Sequence, residues 1–181
     1  MATRLNQLLV KFYTTQHVVL NKRLTHKHRF GILDFEKANS YLSLEDSGLT
    51  FSPQLVQEGK RSTRGGYRAA LKLLKEQSPD AIFCYNDLMA IGAILAAEHL
   101  ELKVPDDIAV VGFDDIMMAS MITPPLTTMG IPQFELGKLT GTLIMELLKD
   151  QKTDSQKILY PVKLQVRGSS GAGEFSREKK R

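Results

Sequence analysis

The 181-residue sequence holds one cysteine, Cys84, so no disulfide can form within the chain and no cysteine-based zinc site can be built. No apolar run reaches the roughly 20 residues that a membrane-spanning helix requires. The longest, 88–97, is about half that length and includes Gly92. Glycine-rich phosphate loops of the GxGxxG or GxxxxGKS/T kind are missing. The four histidines, His17, His26, His28 and His99, lack partners at metal-ligand spacing. No side chains stand as a nucleophile–base pair, so the sequence reads as a non-enzyme without a cofactor. The N-terminus has no apolar core followed by a small-residue cleavage site, which makes a cytoplasmic protein the default reading. Acids are missing from the first 33 positions, where Arg4, Lys11, Lys22, Arg23, Lys27 and Arg29 carry +6; the rest of the chain is net −2, for a total of +4. Such a basic segment can touch nucleic acid non-specifically or form a solvated face.

What is present suits one soluble globular domain: 43% of residues are hydrophobic and 24% charged. Val18, Val19, Leu20 and Leu24 predict a helix over about 14–27, and Arg29–Leu33 a short strand. Asp34 would cap a helix running to about Asp46. A weak strand at Leu55–Gln57 precedes a helix capped by Ser62 or Thr63, with Tyr67, Ala70, Leu71 and Leu74 on one face. Ala81–Tyr85 is an apolar run of buried-strand length. Asn86–Asp87 opens a helix to Leu100 that is apolar nearly all round, and Ile108–Phe113 is the strongest strand. Leu126–Met129 leads into a helix over Pro132–Lys149. A final strand near Lys157–Val166 is broken by Pro161, which predicts an edge position. Strands alternating with helices at this rhythm predict an α/β fold with a doubly wound parallel sheet.

Ligands of open α/β sheets bind beyond the carboxyl ends of the strands. Two strands end there in polar groups, Tyr85-Asn86-Asp87 and Phe113-Asp114-Asp115. Asn86 offers both donor and acceptor and Asp114 accepts twice, which suits vicinal hydroxyls or a heterocycle edge. The same residues could serve as caps: Asn86 or Asp87 for the next helix, Asp114 or Asp115 for the turn at Ile116–Ser120. Paired Asp114 and Asp115 also allow a magnesium-dependent phosphotransfer or hydrolase-like enzyme. Cys84, inside an apolar strand, reads as an inert core thiol.

The string from Asp80 to Met129 combines Asn86-Asp87-Leu88-Met89-Ala90 with Gly92, the turn Val104-Pro105-Asp106-Asp107, Val110-Val111-Gly112-Phe113-Asp114-Asp115, and Pro124-Pro125-Leu126-Thr127-Thr128. In that combination it resembles the effector-domain core of the LacI/GalR family of bacterial transcription repressors. Weaker similarity extends from about Thr14 to Gly168. The resemblance implies one lobe of a type I periplasmic-binding-protein-like fold. It implies a sugar or related effector bound between two lobes, and operator DNA bound by a helix-turn-helix head in a full-length form. By position, Asn86 and Asp114 match polar effector contacts, Lys37 is the nearest match to an arginine that clamps the effector, and Arg61 stands where an aromatic often stacks. Ile131 occupies a place where a polar contact is frequent.

No helix-turn-helix pattern is visible over Met1–Tyr13, and most of an N-terminal lobe is unaccounted for, so the expected protein is a truncated regulator. Its expected division is a basic leader (1–13), an effector-binding lobe (14–129), a remnant of the other lobe with a returning strand (130–167) and a disordered tail (168–181). A solute-binding protein for sugar transport is the alternative within the same fold. Lys37, Lys60 and Arg61, which the resemblance puts near the cleft, suit either an anionic effector, a sugar acid or sugar phosphate, or a solvated basic loop. Phe134, Leu136, Leu139, Leu143, Ile144, Leu147 and Leu148 form an apolar stripe on the 132–149 helix, which predicts a homo-oligomer. No membrane partner is expected.

Overall fold

The computed structural model describes residues 8–11, 17–20, 30–34, 52–148 and 161–172. Its centre is a six-stranded sheet of β3 (Phe30–Asp34), β4 (Val56–Glu58), β5 (Ala81–Cys84), β6 (Ala109–Asp114), β7 (Thr127–Gly130) and β8 (Lys163–Gln165), in the order β4-β3-β5-β6-β7-β8. The first five run parallel; β8 joins β7 antiparallel at the edge, where the break at Pro161 had placed it. From β3 the chain goes outward to β4, then crosses to β5 on the other side and continues to β7. The winding therefore reverses between β3 and β5, and this is the doubly wound α/β architecture that the strand–helix rhythm predicts.

Alternation along the strands gives the sheet two apolar faces. Leu33, Ile82, Cys84, Ile108 and Val110 point to the side covered by two helices, α1 (Thr63–Gln77) and α2 (Asp87–His99). Ile32, Ala81, Ala109, Val111 and Met129 pack on the opposite side. Ser62 starts α1 by accepting the Gly65 N–H at 3.1 Å, and Asn86 starts α2 by accepting the Met89 N–H at 2.9 Å. The buried stripe of α1 runs through Gly66, Ala69, Ala70, Leu73 and Leu74, with Tyr67 and Leu71 only half-buried at its margin. The two helices meet backbone to backbone. A β-carbon at Gly66 would collide with the main chain of Met89, and one at Gly92 with the Thr63 carbonyl and the Tyr67 nitrogen.

Two expectations are corrected. The helix predicted over 14–27 is a strand at 17–20: β2 (His17–Leu20) pairs antiparallel with β1 (Leu8–Lys11), Val10 opposite Val18 and Leu9 opposite Val19. β-Branched residues favour extended pairing, and that preference outweighs the loose helical spacing. The second correction concerns the tail expected to be disordered from 168. Gly168–Ser170 forms a short 3-10 turn with Ser169 fully buried and Ser170 almost so. Ser169 Oγ donates to the Val110 carbonyl at 2.6 Å and accepts the Thr127 N–H at 2.9 Å, and Ser170 Oγ lies 2.8 Å from Thr127 Oγ1. Small polar residues look like linker by composition, yet here their hydroxyls satisfy backbone groups of β6 and β7. Residues 173–181 lie outside the described residues, as does the helix expected from Asp34 to Asp46.

The last helix, α3 (Gln133–Leu148), forms close to the expected span. Among the described residues it packs extensively against no other element, and Phe134 is 80% exposed, with Ile144 and Met145 about half exposed.

Candidate functional site

Parallel strands bring their carboxyl ends to one edge, so Asp34, Glu58, Cys84, Asp114 and Gly130 close their strands along a single line. The connections leaving that line, Gly59–Ser62, Tyr85–Asn86 and Asp115–Ser120, carry most of the polar groups singled out from the sequence. The reversal of winding between β3 and β5 opens the crevice where such sheets hold ligands.

Asn86 sits on this edge, partly exposed. Its Oδ1 is used by the α2 cap, which orients the side chain and leaves the amide nitrogen without a partner among the described residues. Capping and ligand contact are thus compatible at one residue. Arg61 reaches across from beyond β4, its guanidinium carbon 4.5 Å from the centre of the Tyr85 ring. Stacked cations over an aromatic face are stabilised by the ring quadrupole. The resemblance placed an arginine where an aromatic is usual; the structure supplies the aromatic from the end of β5, two strands away from β4. Tyr85 stands in one of the polar strand ends picked out from the sequence, which gives only Asn86 and Asp87 a role there. Lys37 lies outside the described residues.

The two adjacent aspartates part company. Asp114 ends β6 with φ of 110° and Asp115 follows with φ of 53°, both in the left-handed half of backbone space that non-glycine residues rarely enter. Asp115 turns away to an ion pair with Arg167, Oδ1 to the guanidinium at 2.7 Å. The Asp114 carboxylate has neither a hydrogen bond nor a counter-ion among the described residues, and partial burial raises its pKa. A half-buried acceptor without a partner, held at a strained strand end, is ready to take hydroxyl donors from a ligand.

Neither aspartate caps the turn that follows, contrary to one expectation. The Ile116 N–H donates instead to Oδ2 of Asp87 at 2.9 Å, from the start of α2. Asp87 is fully buried and also accepts the Thr128 hydroxyl at 2.5 Å. Burial, with smaller contributions from the nearby Asp114 and Asp115 charges, pushes its pKa up to about 6 against the two hydrogen bonds that lower it. Cys84 beneath it is sealed from solvent, and burial followed by the Asp87 charge drives its thiol pKa upward, so it is no nucleophile.

Among the described residues no three histidine, cysteine or acidic side chains converge as metal ligands. Asp115 is committed to a guanidinium and Asp87 to a hydroxyl and an amide, which removes the pairing of Asp114 with Asp115 that a magnesium site needs. Beside Asp115, an open cleft of about 510 Å³ lies between Ile131, Pro132, Glu135 and Lys163. Its wall at 131 is apolar, as the sequence indicates. No helix among the described residues is long and apolar enough to cross a membrane.

Comparison with known proteins follows the same line. Residues 25–170 match the family model described as periplasmic binding protein-like domain. The chain is 35% identical over 134 residues to the transcriptional repressor PurR of Proteus mirabilis, covering 74% of this chain and 39% of that protein. It is 35% identical over 131 residues to the repressor CytR of Escherichia coli K12, covering 72% and 38%. The chain thus spans about two-fifths of the length of the curated relatives it matches. Among solved structures, a complex of the transcriptional regulator CelR with cellobiose superposes with a TM-score of 0.73 at 25% identity, over 78% of this chain and 46% of that one. The Escherichia coli repressor AscG superposes with a TM-score of 0.69 at 26% identity, over 80% and 56%. These relatives are named as regulators, which favours neither the transport protein nor the phosphotransfer enzyme.

Proposed function

The chain belongs to the periplasmic-binding-protein-like domain family, among the LacI/GalR regulators, and we propose that it provides the effector-binding lobe of a cytoplasmic repressor. The observation that carries this reading is the Asp114 carboxylate, unpartnered among the described residues at the carboxyl edge of β6. Asn86 and the Arg61–Tyr85 stack stand on the same edge of the sheet. In this reading Asp114 accepts ring hydroxyls, the Asn86 amide donates to the same ring, and the Arg61–Tyr85 platform receives its apolar face. Effector occupancy then governs operator binding by the full-length protein. The cellobiose in the CelR complex supports a sugar as the ligand class.

Lys37, Lys60 and Arg61 extend the reading to a sugar carrying a negative group, a sugar acid or sugar phosphate. Calorimetry with glucose and glucose 6-phosphate tests both levels. Tighter binding of the phosphate ester, lost in Asp114→Ala, is the expected result. Preference for the neutral sugar removes the anionic effector, and no binding of glucose, cellobiose or glucose 6-phosphate by the folded chain removes the effector lobe.

The division of the chain into an effector lobe (14–129) and a piece of a second lobe (130–167) belongs to the same proposal. It is supported by the exposed apolar side chains of α3, Phe134, Ile144 and Met145. Self-association through this face yields a homo-oligomer. Sedimentation at tens of micromolar, comparing the parent with Ile144→Lys, separates an oligomer from a monomer.

A further inference from the structure

Two donors, one backbone and one hydroxyl, converge on one buried carboxylate beneath the candidate site, and a third reaches it through the hydroxyl. The Ile116 N–H reaches Asp87 Oδ2 directly at 2.9 Å. The Asp115 N–H approaches Thr128 Oγ1 at 3.4 Å, and that hydroxyl donates onward to Asp87 Oδ1 at 2.5 Å. The two peptide groups that follow Asp114 are therefore both tied to Asp87, one of them through Thr128. Room for the carboxylate comes from Gly112, where a β-carbon would overlap Asp87 Oδ1. Between these anchors Asp114 and Asp115 hold φ values of 110° and 53°, conformations that relax unless the surroundings over-determine them.

We propose that Asp87 is the positioning residue of the effector site: it holds the left-handed corner at Asp114–Asp115 and so aims the Asp114 carboxylate. The inference rests on the effector-lobe reading only for what the corner is used for; the corner itself can be measured without ligand. An ionised Asp87 accepts both donors. Protonation places a proton on one oxygen and turns the Thr128 hydroxyl from donor toward acceptor, which keeps the corner but changes the field at the Ile116 amide. The charged and titratable groups around it are Cys84 at the end of β5, Asp114 ending β6, and Asp115, whose charge Arg167 offsets.

NMR on the intact chain tests the proposal, with φ at 114 and 115 read from scalar couplings and chemical shifts. In the parent protein both φ values are positive, and the Ile116 amide shift follows a titration with a midpoint near the value of about 6 expected for Asp87. Asp87→Asn, which can still accept from Ile116 and pair with Thr128, keeps the corner but abolishes that titration. Asp87→Ala loses the positive φ values. Should Asp87→Ala fail to fold, Thr128→Val removes the bridging hydroxyl alone and shifts the Asp115 amide. Positive φ values persisting in folded Asp87→Ala overturn the proposal, as do an Asp115 amide unmoved by Thr128→Val or a titration unchanged in Asp87→Asn. Absence of sugar binding with an intact, Asp87-dependent corner would count against the effector reading and not against this one.

Discussion

Arg167 closes a loop by gripping both of its ends: one guanidinium nitrogen pairs with Asp115 Oδ1 at 2.7 Å and the other donates to the Leu126 carbonyl at 2.9 Å. The segment between, which includes the exposed Met117, Met118 and Met121, is thereby fastened at its base. The same contact commits Asp115 to a structural partner and leaves Asp114 to the crevice.

Removing that grip has a measurable cost. Arg167→Ala leaves a partly buried carboxylate without its counter-ion and a carbonyl without its donor, and stability should fall by about 2–3 kcal/mol. Arg167→Lys should recover only part of this, since an ammonium lacks the planar fork that reaches both acceptors. Urea unfolding of the two single variants and Asp115→Ala, combined in a double-mutant cycle, checks it. A coupling energy near zero would show that the pair contributes nothing.

Asp87 predicts an unusual pH dependence. Its folded pKa, about 6, lies above the ordinary value of 3.8, so the native state binds a proton more readily than the unfolded chain. Stability from this group is therefore greatest below about pH 4, declines as pH rises from there through about 6, and is level above that, a difference on the order of 3 kcal/mol. Asp87→Asn should remove this slope while other carboxylates keep theirs. Identical pH–stability curves for parent and Asp87→Asn would refute the assignment.

Two pairs of glycines should respond in opposite directions. Gly66→Ala and Gly92→Ala drive a methyl into the backbone of the facing helix, and each should destabilise by more than about 2 kcal/mol. Gly137→Ala and Gly141→Ala meet nothing within 4 Å and lie inside α3, so each should stabilise by roughly 0.5–1 kcal/mol. Thermal melts of the four variants read the sign directly.

Asn86 joins a cap to a candidate ligand contact, and substitutions can separate the two. Asn86→Ser keeps a side-chain oxygen for the Met89 N–H and should leave stability within a few tenths of a kcal/mol. It deletes the amide donor and should weaken effector binding roughly tenfold, the effect of losing about 1.4 kcal/mol. Asn86→Ala should lose binding and also about 1 kcal/mol of stability. Equal effector affinity in parent and Asn86→Ser, by calorimetry, would reduce Asn86 to a cap.

Legibility in the sequence divides along contact range. The strands Ala81–Cys84 and Ala109–Asp114, and the caps Ser62 and Asn86, were readable because period, apolar runs and capping residues act over a few positions. The β2 strand misled because four residues carry too little periodicity to distinguish 3.6 from 2. Asp87 was weighed only as a local cap; its actual partners are Ile116 and Thr128, 29 and 41 positions onward, and no local pattern announces them. Tyr85 was hidden similarly, since its platform forms only when Arg61 arrives from a different strand end.

The fastening of Ser169 to Val110 sets an order of events during synthesis. β6 emerges from the ribosome 59 residues before the hydroxyl that its Val110 carbonyl accepts. At the usual pace of translation, roughly 5–20 residues per second, that interval lasts about 3 to 12 seconds. Throughout it, strands up to β6 can pair with one another while β7 has no hydroxyl for the Thr127 amide, and Asp115 has no arginine. The nascent domain thus acquires its hydrophobic layers early and its polar corner late, and a pause or cleavage in that window would release a chain with a packed interior and an unfinished mouth.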